Sequence, residues 1–397
     1  MSLSPSKNQD KSHRVGILGC GAIGSRIAKS IKTQCDELAT LSALFDINPI
    51  KSENLQKQIP YRNIVKKSYQ ELLNSCDVVV EAVNARGGIL GKKVELIIED
   101  DVCKPEIATN TATKLVSQGV AAVIGHICSG ATKSAVGIYK DSKIICISPS
   151  ATNPDLTQSG EYPNFYRTIA SDDAQGRLEV DFAINILKVK KIAVIHDKGD
   201  YGKGLAEFAK IFVEKSGRAK VVLFEGVTPG AVDYSAVVQK IKHSGAEAVI
   251  YGGYHPEASK IIMQMRTKRM DTLFISDDGV KDETFIKVAG KYAEGVYATG
   301  PRDTTKNPLA VKAISDHKKK YGADPGAFFL NAYAATQALL AAIQKAGSTD
   351  YNAVGKALKS EYVETPLGKI SFDKRGDAIG VGFTMYRVKN GVYTEIK

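Results

Sequence analysis

Apolar and polar positions alternate in blocks along most of this chain. Short apolar runs stop at a Gly, Ser or Asp, and longer stretches with helical spacing follow. The pattern predicts strands at Val94–Asp101, Ala121–Ile124, Ile144–Ile147, Lys191–His196, Ala219–Phe224, Ala246–Tyr251, Thr272–Ser276 and Gly295–Thr299. Helices are predicted over Lys104–Gln118, from Lys133, over Asp173–Val189 and from Tyr201. Strands that alternate with helices make right-handed βαβ units and parallel sheets. There are too many strands for one open sheet, and the texture breaks near residue 170, so two α/β lobes of one design are expected. The C-terminal end differs: Gly368–Asp373, Phe383–Val388 and Gly391–Tyr393 read as short antiparallel strands.

The N-terminal part carries its own signal. Arg14–Leu18 reads as a buried strand, and it runs into Gly19-Cys20-Gly21-Ala22-Ile23-Gly24 with a helical period after it. A second strand, Leu38–Phe45, ends in Asp46, about 20 residues beyond the glycines, where a dinucleotide fingerprint places its ribose acid. Gly19, Gly21, Ala22, Ile23, Gly24 and Asp46 are therefore candidate NAD-binding residues; no Arg follows Asp46 closely, which favours NAD over NADP. An ordinary tight βα turn is the competing reading. Cys76–Val83 reads as a third strand. Residues 13–84 resemble the NAD-binding half of the aspartate and homoserine dehydrogenases, which implies a Rossmann-like βαβαβ unit. No counterpart of their catalytic domain follows.

Composition narrows the function classes. The net charge is +11, but the basic residues are scattered and not interleaved with aromatics. That fits a solvated surface with no nucleic-acid partner. The 6 Cys form no CxxC pair and the 6 His show no HExxH spacing, so no metal site is expected. No apolar run reaches the roughly 18 residues of a membrane helix. Residues 1–13 read as a polar tail without the apolar region of an export signal, and the chain as written would stay in the cytoplasm.

The candidate chemistry centres on two loops. Ala121–Ile124 ends in Gly125-His126-Ile127-Cys128-Ser129, just where a helix begins, and Ile144–Ile147 ends in Ser148-Pro149-Ser150-Ala151-Thr152-Asn153. A small-residue loop at a helix N-terminus leaves backbone N–H groups free for an anion such as a carboxylate. These loops resemble those of the leucine/isoleucine/valine-binding proteins, type I periplasmic binding proteins of ABC amino-acid transporters. So do Gly87-Gly88-Ile89-Leu90-Gly91-Lys92-Lys93, Asp100-Asp101-Val102-Cys103-Lys104-Pro105, His196-Asp197-Lys198-Gly199-Asp200-Tyr201-Gly202 and Tyr251-Gly252-Gly253-Tyr254-His255-Pro256-Glu257. The resemblance covers residues 85–397.

It implies a two-lobed type I fold with parallel sheets, preceded here by the Rossmann-like unit. Lobe 1 is expected over 85–170 plus about 301–380, and lobe 2 over 171–300 plus about 381–397. It further implies a non-enzymatic, monomeric binder of leucine, isoleucine, valine or a similar amino acid. Such a protein needs no cofactor, serves an ABC-transporter permease and works in the periplasm or cell envelope. Ser129, Ser150, Ala151 and Thr152 match the ligand-carboxylate side, although a Ser or Thr there is also a common helix cap. Asp278 matches the acid that faces the ammonium group, where the family usually carries Glu. Tyr201, Tyr254 and Phe328 match side-chain contacts; interlobe packing is the plain alternative. His126 and His196 are expected to be hydrogen-bonded, not metal ligands. The family pairs Cys103 with Cys128; such a loop is worth roughly 3 kcal/mol, and two free thiols are the alternative.

Two features conflict with this reading. The family's first strand and its ligand-contacting loop have no counterpart. Residues 77–85 are strand by their run of Val, but the end of the first helix in the binding-protein register. An NAD-dependent dehydrogenase of the aspartate type, or an NAD-binding regulatory fusion, is the alternative function.

Overall fold

A computed structural model describes residues 74–396 and, before them, the backbone of Arg14–Val15 (β1) and Thr40–Leu41 (β2). Contacts divide the chain into two units, Met1–Pro60 and Tyr61–Lys397. In the first, β1 and β2 pair in parallel, with Arg14 opposite Thr40 and Val15 opposite Leu41. The remaining fingerprint residues, Gly19 to Gly24 and Asp46, lie outside the described residues.

The described part of the second unit begins with a helix over residues 74–84 (α1), where the run of Val predicts a strand and the binding-protein register the end of a helix. The correction has a tertiary cause. Cys76 and Val79 are buried, and Ser75 Oγ donates to the Phe329 carbonyl at 3.1 Å. Tyr321 donates to Asp77 at 2.6 Å, and Lys320 pairs with Asp77 and Glu81. The helix thus finds partners on more than one side, and that packing outweighs the modest β-preference of Val.

The elements that follow are α2 (Pro105–Ser117), β3 (Ala122–Ile124), α3 (Ser129–Asp141), β4 (Ile145–Ser148) and β5 (Phe165–Arg167). Next come α4 (Asp172–Asp181), closed by a π turn at Phe182–Ile186, then β6 (Lys191–His196), α5 (Asp200–Ser216) and β7 (Lys220–Gly226). The series continues with α6 (Ser235–Ser244), β8 (Ala248–Gly252), α7 (His255–Thr267), β9 (Leu273–Ser276), α8 (Glu283–Ala289) and β10 (Tyr297–Pro301). Last are α9 (Pro308–Tyr321), α10 (Phe329–Ala346), α11 (Tyr351–Ser360), β11 (Val363–Thr365), β12 (Gly368–Phe372), β13 (Ala378–Ile379), β14 (Phe383–Lys389) and β15 (Val392–Glu395).

These strands build two main sheets. One has seven strands in the order β15-β14-β10-β9-β8-β6-β7, parallel from β10 to β7 and antiparallel at β14 and β15. The other has three, β3-β4-β5, all parallel. The chain crosses between them after β5, after β10 and before β14. Each sheet is covered on both faces, which is why its inner strands read as unbroken apolar runs; every residue of β8 and of β4 is buried. The antiparallel C-terminal strands appear where the sequence predicts them.

One predicted strand is absent. Residues 93–100 have no regular secondary structure, and 94–100 make no backbone–backbone hydrogen bond with any described residue. The Val94 backbone is held by the Asn84 side chain, at 2.8 Å and 2.9 Å. A strand exists only by pairing, and no described strand lies beside this one.

Candidate functional site

Both sheets present the C-terminal ends of their strands to one cleft, the usual place for ligands in parallel α/β folds. On the three-stranded side, β3 ends at Ile124 and α3 starts at Ser129. Cys128 occupies the N-cap in extended conformation without a side-chain cap bond, so the first N–H groups of α3 stay open. Ser129 is buried, and its Oγ accepts from the Asn153 N–H at 3.3 Å. Ser150 Oγ donates to the Ile127 carbonyl at 2.8 Å, tying the second loop to the first. Cys103 and Cys128 form a disulfide with Cα atoms 5.4 Å apart, which fixes the start of α3 to the start of α2.

The second loop has a further anchor that sequence reasoning missed. Arg167, at the end of β5, is fully buried. Its guanidinium donates to the Asn153 carbonyl at 2.9 Å, to Thr157 Oγ1 at 2.7 Å and to Asp377 at 2.6 Å. A buried cation persists only with its donors filled, and here the filling holds residues 151–157 in place.

On the seven-stranded side, Asp278 follows β9 and is buried. Its Oδ1 accepts from Gln175 at 2.9 Å and from the Tyr201 hydroxyl. That hydroxyl also accepts from the Gly279 N–H at 3.2 Å. Burial raises the Asp278 carboxyl above the usual range, against the pull of the Tyr201 and Gln175 hydrogen bonds. Asp172, Glu179 and Asp277 are raised well above it, first by burial and with neighbouring acids adding, while the Thr152 and Thr299 hydroxyls oppose the rise at Asp172 and Glu179. Gln175 Oε1, Glu179 Oε2 and Asp277 Oδ1 are buried without a hydrogen-bond partner among the described residues. A buried cluster of unfilled acceptors suits a cationic group with several N–H donors.

Tyr201 and Tyr254 stack obliquely, with ring centroids 5.2 Å apart. Tyr201 sits in the first turn of α5 and Tyr254 caps α7. The backbones that carry them approach closely: a Cβ on Gly202 would lie 2.4 Å from the Gly252 carbonyl oxygen, so that crossing needs glycine.

The structure brings Ser129, Ser150, Tyr201, Tyr254, Asp278 and Phe328 around one cavity of 40 Å³. Ala151 and Thr152 lie behind its wall, fully buried, with the Thr152 hydroxyl beside the Asp172 carboxylate. Ile127, His255, Lys281 and Asp282 also line the cavity. The two sides are drawn together across the cleft: Asn153 Nδ2 donates to the Asp200 carbonyl at 2.9 Å, and Lys133 pairs with Asp155 at 3.1 Å and lies 3.9 Å from Asp200. A space this small admits an amino acid only after the sides part. His126 bonds Asp101 through Nδ1 and Tyr139 through Nε2, and His196 Nδ1 accepts from the Lys198 N–H at 3.0 Å. Among the described residues no group of three or more His, Cys, Asp or Glu is arranged to hold a metal.

Comparison with known proteins agrees with this layout. A family model described as periplasmic binding protein matches residues 65–392. The chain belongs to the periplasmic binding protein family. Its match begins 20 residues before the resemblance read from sequence and takes in α1, so residues 65–84 belong with the binding protein and not with the dehydrogenase-like stretch. The chain is 39% identical over 322 residues to the leucine-, isoleucine-, valine-, threonine- and alanine-binding protein of Pseudomonas aeruginosa, covering 81% of this chain and 86% of that one. It is 38% identical over 320 residues to the Leu/Ile/Val-binding protein of Escherichia coli, covering 80% and 86%. A leucine-binding protein from Thermotoga maritima superposes with a TM-score of 0.77 at 27% identity, over 83% of this chain and 93% of that one. A Streptococcus pneumoniae substrate-binding protein in complex with isoleucine gives 0.74 at 26%, over 82% and 94%. The type I two-lobed α/β fold is thus established for this binding protein. Among the described residues no helix is long and apolar enough to cross a membrane.

Proposed function

We propose that this chain binds a branched-chain or similar aliphatic amino acid between its lobes and delivers it to an ABC-transporter permease at the cell envelope, without chemistry on the ligand. The observation that carries the reading is the polarity of the cleft. Open helix N–H groups and hydroxyls stand on one side, a buried acid cluster on the other, with aromatic rings between them. A zwitterion with an apolar side chain is complementary to that order. Its carboxylate would meet the N-terminus of α3 with Ser129, Ser150 and the Thr152 loop; its ammonium would meet Asp278. Tyr201, Tyr254 and Phe328 would cover the side chain. Asp278 is one methylene shorter than the Glu usual in the family, which sets the ammonium deeper in the second lobe. Calorimetric titration with leucine, isoleucine, valine and NAD tests this. Heat from at least one amino acid is expected; heat from NAD alone would sink the proposal and favour the dehydrogenase-like reading of Gly19–Gly24 and Asp46.

A further inference from the structure

Four carboxyl groups meet beneath the second lobe's side of the cleft. Asp172 and Glu179 come from α4, Asp277 and Asp278 from the turn after β9, and none is more than 4% exposed. Hydrogen bonds join them. Gln175 Nε2 donates to Asp278 at 2.9 Å and to Thr299 Oγ1 at 2.6 Å, and Thr299 donates to Glu179 Oε1 at 3.1 Å. Asp277 Oδ2 accepts from the Gly253 N–H at 2.6 Å. The charged and titratable groups that face this network are Arg167 from β5, Asp173 from α4, Asp197 after β6, Tyr201 from α5 and Lys281 before α8. Both cations are engaged elsewhere: Arg167 pairs with Asp377 at 2.6 Å, and the Lys281 ammonium lies over the Tyr386 ring, 4.1 Å from its centroid. Among the described residues no basic side chain lies within ion-pair distance of any of the four acids. Four buried carboxylates without counter-ions would repel one another and lose their hydration, so such a group keeps protons.

A bound amino acid changes that balance, because its ammonium brings the missing positive charge. We propose that capture is a proton exchange: the empty cleft keeps at least one proton on the network of Asp172, Glu179, Asp277 and Asp278, and the ligand's ammonium displaces it to water. This rests on the amino-acid reading of the cleft, in which the ammonium meets Asp278. One carboxyl O–H bond breaks, water takes the proton, and an ammonium N–H donates where the carboxyl proton did. The charge enclosed on that side is the same before and after, so closing the lobes buries no extra charge. The proton belongs to the network and not to one residue, since acids coupled this closely titrate together. A ligand that expels protons binds more tightly as pH rises, and acid favours its release.

The full chain would be titrated calorimetrically with leucine at about pH 6, in phosphate and in imidazole buffer, whose different ionisation heats count the protons released. Between about pH 5 and 7 leucine keeps both its charges, so the protons counted belong to the protein. Release of about half a proton or more per leucine is expected, with affinity rising about tenfold from pH 5 to 7. The double variant Glu179→Gln, Asp277→Asn keeps acceptors for Thr299 and for the Gly253 N–H, and neither residue lines the ligand cavity. It should still bind leucine, with the proton count at least halved and a flatter pH dependence. Glu179→Gln alone, the milder change, should lower the count part-way. Equal heats in the two buffers, with leucine bound, would overturn the proton exchange and leave the amino-acid reading standing. No heat from any amino acid would overturn both. An unchanged proton count in the variants would also overturn the exchange, since the proton would then come from outside the network.

Discussion

The two sheets of this binding protein follow one design and reach different degrees of completion. The seven-stranded sheet has a continuous ladder from β15 to β7 and apolar cores on both faces. The three-stranded sheet has the same layering, but among the described residues nothing pairs with the outer edge of β3, and residues 94–99 join no ladder. Packing and ladder hold the first together. In the second, covalent and charged fixings share that role. The Cys103–Cys128 disulfide ties α2 to α3, and the Arg167–Asp377 pair ties β5 to the loop before β13. Completeness therefore predicts where a substitution will be costly.

The sharpest test compares equal truncations in the two cores. Phe274 in β9 is fully buried under α7; Phe274→Ala leaves a closed void and should cost about 3–5 kcal/mol. Leu340 lines a cavity of 390 Å³ beside β3, so Leu340→Ala enlarges a space that already exists and should cost about 1–2 kcal/mol. Urea unfolding reads both. Equal losses would mean that this cavity is filled and the comparison fails. A loss comparable to that of Phe274→Ala is expected from Arg167→Met, about 3–5 kcal/mol, because it strands the Asp377 carboxylate and the loop carbonyls.

Reducing the disulfide, or replacing Cys103 and Cys128 by Ser, comes next, at roughly 3 kcal/mol on the chain-entropy estimate. The difference should be confined to the three-stranded side. Hydrogen exchange would show faster opening in α2, α3 and β3, with β6 and β8 unchanged; a uniform rise across both sheets would break the distinction.

The same contrast explains what could be read from sequence. Beyond residue 170 every strand has its neighbour within the chain, so local pattern and final structure agree from β6 to β10 and at β12, β14 and β15; only the short β11 and β13 were not legible. In the first lobe they part. Residues 94–99 have strand sequence but no ladder among the described residues, and pairing is not a local property. Residues 76–83 have strand sequence but form α1, since Cys76, Asp77 and Glu81 find partners on α9 and α10 some 240 to 260 positions later. The site divides likewise. Ser129, Ser150, Tyr201, Tyr254, Asp278 and Phe328 sit in recognisable loops. The acid cluster stayed hidden because Asp172, Gln175 and Glu179 reach Asp278 only when α4 lies against the end of β9. Arg167 stayed hidden because its partners are mostly backbone carbonyls.

Within the cleft, the second lobe's half is already networked and the first lobe's half is open. Asp278→Asn keeps the Tyr201 and Gln175 contacts and removes the charge. It should weaken leucine binding by about 30-fold or more, the range for losing one partner of a buried charged hydrogen bond. Ser129→Ala should weaken it about fivefold, since the open N–H groups of α3 remain. Calorimetry on both variants orders the halves; a larger loss at Ser129 would reverse them.

The smallest effect is a pH slope that only the completed lobe should show. Asp197, just after β6, is 2% exposed; burial raises its carboxyl to about 7, with Glu257 adding to the rise and the Gly199 N–H opposing it. Its unfolded value is near 3.9. Between those two values the folded chain binds the extra proton. Stability from this group is therefore full below about pH 4 and is lost as pH rises towards 7. Asp197→Asn can still accept from the Gly199 N–H, now at 2.8 Å, and has nothing to titrate. The variant should match the parent near pH 4 and exceed it by about 1 kcal/mol or more at pH 8, read as a flatter plot of urea midpoint against pH. A parallel plot for parent and variant would show that Asp197 reaches water, and that the packing of the seven-stranded lobe is looser at the cleft than its core implies.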